Sequence, residues 1–121
     1  MAQLTVEAVD GRGAVKAFVD YPYRKYRGDA NWVPPLCISQ LDLLDERKNP
    51  LWRHARRTLY LAKRDGRVVG RVAYIEDDEH IRIHDERIAF FGFFEADDEE
   101  VAGALLEVVE AHARSAGMVA V

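Results

Sequence analysis

The chain has 121 residues and a mass of 13.8 kDa, about the size of one domain, so residues 1–121 are expected to fold as a single unit. With 49% hydrophobic and 31% charged residues, it can bury a core, which excludes wholesale disorder and a collagen-like repeat. The net charge of −4 divides unevenly: residues 1–71 carry +6 and residues 72–121 carry −10. Such a split suggests two oppositely charged faces or a self-complementary contact between copies, and the overall acidity argues against a nucleic-acid partner.

The N-terminal stretch from Met1 to Glu7 has neither a basic region nor a long apolar one, so no signal peptide is expected. The longest apolar run, Ile88 to Phe94, is the size of a strand, well short of the roughly 20 residues that span a bilayer. The single cysteine, Cys37, makes no internal disulfide and no thiolate cage for zinc. A cytoplasmic location with no membrane contact is the expectation.

In chain order, the alternation of Leu4, Val6 and Ala8 predicts a strand ending at Asp10-Gly11. Ala14, Val15, Phe18 and Val19 recur at helical spacing, and Asp20 and Pro22 are expected to break that helix. Pro34-Pro35 opens a second helix with Leu36, Leu43 and Leu44 on its apolar side, broadened by Ile38 and Leu41. Two alternating runs, Thr58 to Lys63 and Val68 to Ile75, flank Asp65-Gly66, a hairpin signal. A charged loop, Glu76 to Arg87, leads to Ile88–Phe94, which is apolar on both faces and predicts a central strand. The last helix carries the stripe Val101, Leu105, Val108 and His112, with Asp97 or Asp98 as its cap and Gly117 at its end. A strand is expected from Met118. The fold class is therefore α/β (α+β), with the order strand-helix-helix-strand-strand-strand-helix-strand and a parallel crossover at its end.

Isolated chemistry is sparse. His80 and His84 lie among acids in a segment with no inferable scaffold, so no metal site is assigned. His112 sits on a core stripe and is read as a packed histidine, Cys37 as a small buried hydrophobe, and His54 as part of a solvated basic patch. More distinctive is Tyr21 to Trp32, where aromatics alternate with Arg24, Lys25 and Arg27.

Several stretches resemble the front two-thirds of GNAT-type N-acetyltransferases. Leu59-Tyr60-Leu61-Ala62 with Asp65-Gly66-Arg67-Val68-Val69-Gly70-Arg71-Val72 is similar to a hairpin of that superfamily. Ala104 to Glu110 followed by Gly117-Met118 is similar to its coenzyme helix and the turn after it. Tyr21 to Pro35, with Asn49-Pro50, resembles a bacterial branch of uncertain substrate. The resemblance implies a GNAT-like mixed sheet and an acyl-CoA-dependent N-acyltransferase using acetyl-CoA or another acyl-CoA. The backbone of Phe93, Phe94 and Glu95 would pair with the pantetheine arm, and Val101, Ala102 and Gly103 would offer N–H groups to the pyrophosphate. Glu95 would act as catalytic base, and Tyr23, Arg24, Tyr26, Arg27 and Trp32 would line the substrate cleft.

This sequence departs from that pattern in two places. Where the family has a glycine-rich phosphate loop, Asp97, Asp98, Glu99 and Glu100 stand instead. Each carboxylate opposes a phosphate by about 1 kcal/mol at 4 Å in bulk water, against a helix end worth about half a positive charge, unless Lys or Arg from elsewhere intrudes. The family's C-terminal helix and strands have no counterpart before Val121, which leaves an edge to be completed by a homodimer partner or by further chain. A non-catalytic GNAT-like binding or assembly module is the alternative expectation.

Overall fold

A computed structural model describes residues 3–121; Met1 and Ala2, the start of the stretch read for a signal peptide, lie outside the described residues. Strand β1 (Leu4–Val9) is followed by α1 (Arg12–Lys25), α2 (Cys37–Leu44), a 3-10 turn at Pro50–Arg53, β2 (Ala55–Arg64) and β3 (Arg67–Asp77). Helix α3 (Asp78–His84), β4 (Phe90–Ala96) and α4 (Glu99–Ser115) complete the order. The chain is thus an α+β protein whose antiparallel sheet runs β1-β2-β3-β4.

The β2–β3 hairpin turns through Asp65 (φ 50°) and Gly66 (φ 74°), the doubled positive φ that matches the twist of paired strands. Alternation along β2 then sorts side chains to two faces. Leu59 and Leu61 pack with Phe18 and Val19 of α1 and Leu44 of α2. Ala62, with Val72 and Tyr74 of β3, packs on Val101, Leu105 and Val109 of α4. The sheet is therefore sandwiched, with α1 and α2 on one side and α4 on the other. A fully buried Leu, Val or Phe contributes about 1.5–3 kcal/mol, so the two clusters supply most of the driving force. Gly70 sets how closely α4 approaches: a Cβ there would lie 2.5 Å from Val101 Cγ1 and 2.9 Å from Leu105 Cδ1.

Several local expectations are corrected. Helix α1 does not break at Asp20 or Pro22; it continues through Pro22 to Lys25 because Phe18, Val19 and Tyr21 are buried along it. Helix α2 buries Leu44, with Leu41 and Cys37 half-buried beside it, and leaves Leu36, Ile38 and Leu43 exposed. Cys37 is half-buried, and its Sγ lies 3.9 Å from Asp20 Oδ1. Within the expected charged loop, β3 extends to Asp77 and α3 follows, capped by the Asp77 carboxylate, which accepts from the N–H groups of Glu79 and His80.

The largest correction concerns the third apolar run. Strand β4 is not central but lies at the edge of the sheet, and Phe90 and Phe91 are exposed. Among the described residues its outer edge pairs with no strand, and an isolated parallel bridge of Ile88 with Ala120 lies just before the strand begins. The strand expected from Met118 is reduced to that bridge, fixed by hydrogen bonds from the N–H of Ala89 to Ala120 O at 3.0 Å and of Val119 to Arg87 O at 2.7 Å. The parallel return after α4 is thus present in its shortest form.

Candidate functional site

The C-terminal end of α1 lies over the end of β4 and brings together residues some 70 positions apart. The Tyr26 hydroxyl donates to Glu95 Oε2 at 2.6 Å, and Lys25 Nζ stands 3.8 Å from the same oxygen. Lys25 also donates to the Ala96 carbonyl, and Arg24 to the Val68 carbonyl. One helical turn earlier, the Tyr21 hydroxyl donates to the Val69 carbonyl and to the Asp97 carboxylate. Continuation of α1 through Pro22 makes this possible, since its last two turns carry Tyr21 and Lys25 to the β4–α4 junction and Arg24 to the start of β3.

These contacts tune the phenols. The hydrogen bond to Glu95, then burial, pushes Tyr26 up to about 12. Burial first, and then the hydrogen bond to Asp97, holds Tyr21 well above the usual phenol range. Both hydroxyls keep their protons at neutral pH and act as fixed donors toward carboxylates.

Beneath this cluster lies Arg71 of β3, 6% exposed and directly opposite Glu95 in the β3–β4 register. Its Nη1 donates to the Phe18 carbonyl at 2.9 Å, and its guanidinium lies 5.0 Å from the Phe18 ring centroid and 5.6 Å from that of Phe93. Burial lowers its pKa from the ordinary guanidinium value, with the charge of Glu95 the foremost opposing influence. The register shifts between Arg71 and Ala73, where β4 bulges, and Phe93 takes φ 55°. A left-handed backbone is strained for a bulky aromatic residue.

The predicted site residues divide between the two faces of the sheet. Tyr23, Tyr26 and Trp32 form one aromatic group, with Tyr26 stacked on Trp32 at 5.3 Å and Tyr23 edge-on to it at 5.4 Å. The Tyr23 hydroxyl donates to the Pro35 carbonyl, tying the connection between α1 and α2 to the group. Arg27 is exposed beyond the end of α1. Phe93 and Glu95 belong to this face, whereas Phe94 packs into the α4 core. Val101, Ala102 and Gly103 lie with α4 on the opposite face: the Val101 side chain is fully buried against β3, and Gly103 is exposed.

The entry of α4 is occupied by the chain's own groups. Asp98 caps the helix, its Oδ1 accepting from the Val101 N–H at 2.9 Å. Arg64 reaches Asp98 Oδ2 at 2.7 Å and Glu100 Oε1 at 3.3 Å. One cation from elsewhere, Arg64 of β2, does intrude, but it is spent on these acids. The residues present therefore do not fit a coenzyme diphosphate at this helix end.

Other candidate residues find internal partners. His54 Nδ1 lies 2.7 Å from Asp77 Oδ1, so it joins a polar cluster at the start of α3. His112 stacks on Tyr74 at 3.8 Å and meets the Tyr60 hydroxyl at 2.7 Å, as befits a packed histidine. The His80 and His84 rings are 4.5 Å apart, and among the described residues no group of three or more His, Cys, Asp or Glu is placed to hold a metal ion. A groove of about 740 Å³ lies away from Glu95, between α1 and α2. Of its four basic residues, Arg57, Lys48 and Arg47 are paired with Glu46, Asp42 and Asp45, and Arg12 is the fourth.

Tyr21 and Lys25 lie in the stretch that the sequence singled out, whereas sequence reasoning missed Arg71. The available signal was Arg71 itself, a lone charge inside the apolar run Val68 to Ile75. Among the described residues no helix is long and apolar enough to cross a membrane.

Comparison with known proteins yields two informative relatives. The chain is 36% identical over 104 residues to Protein YghO of Escherichia coli (strain K12), covering 85% of this chain and 26% of that protein. It is 34% identical over 118 residues to the bacterial ceramide synthase of Caulobacter vibrioides (strain NA1000 / CB15N), covering 96% of this chain and 31% of that protein. No family model matches the chain, and no solved structure matches it. The chain thus spans between a quarter and a third of the length of these curated relatives.

Proposed function

We propose that this chain is a GNAT-like portion of an N-acyltransferase, which passes an acyl group from a thioester, acetyl-CoA or a longer acyl-CoA, to an amine. The observation that carries this reading is the Glu95 carboxylate at the end of the edge strand β4, held by Tyr26 at 2.6 Å. Acyl transfer to an amine needs a group that takes a proton from the nitrogen, and a carboxylate fixed by a tyrosine donor supplies one. An unpaired strand edge offers N–H and C=O groups to an extended amide-containing arm. The similarity to a bacterial ceramide synthase supports the reaction class, because a ceramide is the fatty amide of a long-chain amino alcohol. The entry of α4 is not the seat of the donor's diphosphate in this reading. Recognition falls on the thioester end and on the aromatic group of Tyr23, Tyr26 and Trp32.

A second reading, a non-catalytic GNAT-like module, is favoured by one observation: Arg64, Asp98 and Glu100 fill the helix end that would otherwise take phosphate. One experiment decides between them. The protein is incubated with palmitoyl-CoA or acetyl-CoA and a long-chain amino alcohol, with thiol release and amide mass recorded. Amide formation that falls at least tenfold in Glu95→Gln supports the enzyme. No amide and no change in melting temperature with either thioester leaves the module.

A further inference from the structure

In the cluster under α1 one buried cation has no carboxylate in contact with it. Arg71 is more than nine-tenths buried, and among the described residues it forms no ion pair within 4.0 Å. Its one neutral acceptor is the Phe18 carbonyl, and its Nε has no hydrogen-bond partner. Glu95, directly across the strand pair, is already engaged by Tyr26 and Lys25. Asp97 is engaged by Tyr21. A buried guanidinium with no carboxylate in contact and with an unmet N–H is costly, even with the charge of Glu95 across the strand pair. Phe93, whose ring centroid lies 5.6 Å from the guanidinium, and Glu95, opposite it in the register, are half-buried, as are Lys25 and Tyr26 beside Glu95. Phe93 sits in the bulge with φ 55°, and strain of this kind persists where it serves a ligand clamp.

We propose that Arg71 is the recognition group of a ligand subsite between α1 and β4, which takes a carboxylate or phosphate oxygen pair entering past Phe93 and Glu95. The guanidinium fork matches such planar oxygen pairs in a bidentate pose, and Phe18 and Phe93 fix its plane from the side. Lys25 supplies a second positive charge at the mouth. The aromatic group around Trp32 lies next to that mouth and suits an apolar extension of the ligand. This subsite is argued from Arg71's surroundings, and it adjoins Glu95 and the aromatic group on which the proposed acyl transfer also rests.

The test is calorimetric titration of the whole chain with dodecanoate, dodecyl phosphate, inorganic phosphate and, as neutral control, dodecanol, at constant ionic strength. Binding of at least one anionic probe, weakened tenfold or more in Arg71→Met and partly restored in Arg71→Lys, supports the proposal. Binding confined to the two amphiphiles assigns an anionic lipid-like ligand; binding of inorganic phosphate with equal strength assigns free phosphate. Should Arg71→Met not fold, the Arg71 Nε–H resonance of the wild-type protein gives the answer, since it shifts on titration only if the anion reaches that group. No binding by any anion, dodecanol binding as tightly as dodecanoate, or an unmoved Nε–H resonance overturns the subsite. Amide formation in the palmitoyl-CoA assay is scored separately, so either idea can fail without the other.

Discussion

The Tyr26 hydroxyl and the Glu95 carboxylate meet at 2.6 Å although they lie 69 positions apart in the chain. One comes from the residue that ends α1, the other from the penultimate residue of β4. Their contact fixes where α1 ends over the sheet and which way Glu95 points. Trp32 stacked on Tyr26 and Lys25 near Glu95 extend the same link on either side.

Tyr26→Phe removes that hydrogen bond and leaves the ring in place against Trp32. We expect a loss of about 0.5–1.5 kcal/mol in stability, measured by urea unfolding, together with a changed Trp32 emission. Unaltered stability and emission would show that the link contributes nothing.

The raised phenol of Tyr26 gives a signed pH dependence. Its folded value of about 12 exceeds the ordinary 10.0, so between these values the folded protein holds the proton more firmly than the unfolded chain. The resulting stability is complete below pH 10 and is lost as pH rises toward 12. Tyrosinate absorbance should show a phenol titrating near 12 in the wild-type protein, absent in Tyr26→Phe.

At the acid end the sign reverses. The hydrogen bond from Arg64, followed by that from the Val101 N–H, holds Asp98 below its ordinary 3.8. Its contribution is present above that value and disappears as pH falls through the lowered one. Asp98→Asn keeps a cap acceptor but discards the charge. Its unfolding curve should lose part of the wild-type drop in stability below pH 3.8, and an unchanged acid limb would refute the pairing with Arg64.

Gly70 is where α4 comes closest to the sheet. A Cβ would press on Val101 Cγ1, a branched and fully buried side chain with little freedom to move. Gly70→Val should therefore cost about 1–3 kcal/mol through overpacking, read by chemical denaturation. A neutral result would mean that α4 shifts at no cost.

Local pattern carried the elements whose partners are near in sequence. The Asp65-Gly66 turn, the alternating strands beside it and the amphipathic α4 with its Asp98 cap were all legible, because turn geometry and side-chain period are properties of adjacent residues. The acid-rich entry of α4 was legible too, but its pairing with Arg64 of β2 was not.

What the string of residues could not reveal was anything settled by distant packing. Pro22 lies within α1 because Phe18, Val19 and Tyr21 bury against β2, β3 and β4, and that burial outweighs the lost helical hydrogen bond. Four phenylalanines in Phe90–Phe94 looked like a covered strand, yet strand order is a property of pairing, and the pairing leaves β4 at the edge. Arg71 appeared only as a charge interrupting an apolar run. The register that sets it opposite Glu95, and the helix that seals it beneath Phe18, exist only in the folded chain, where burial turns an ordinary cation into a group that needs an anion.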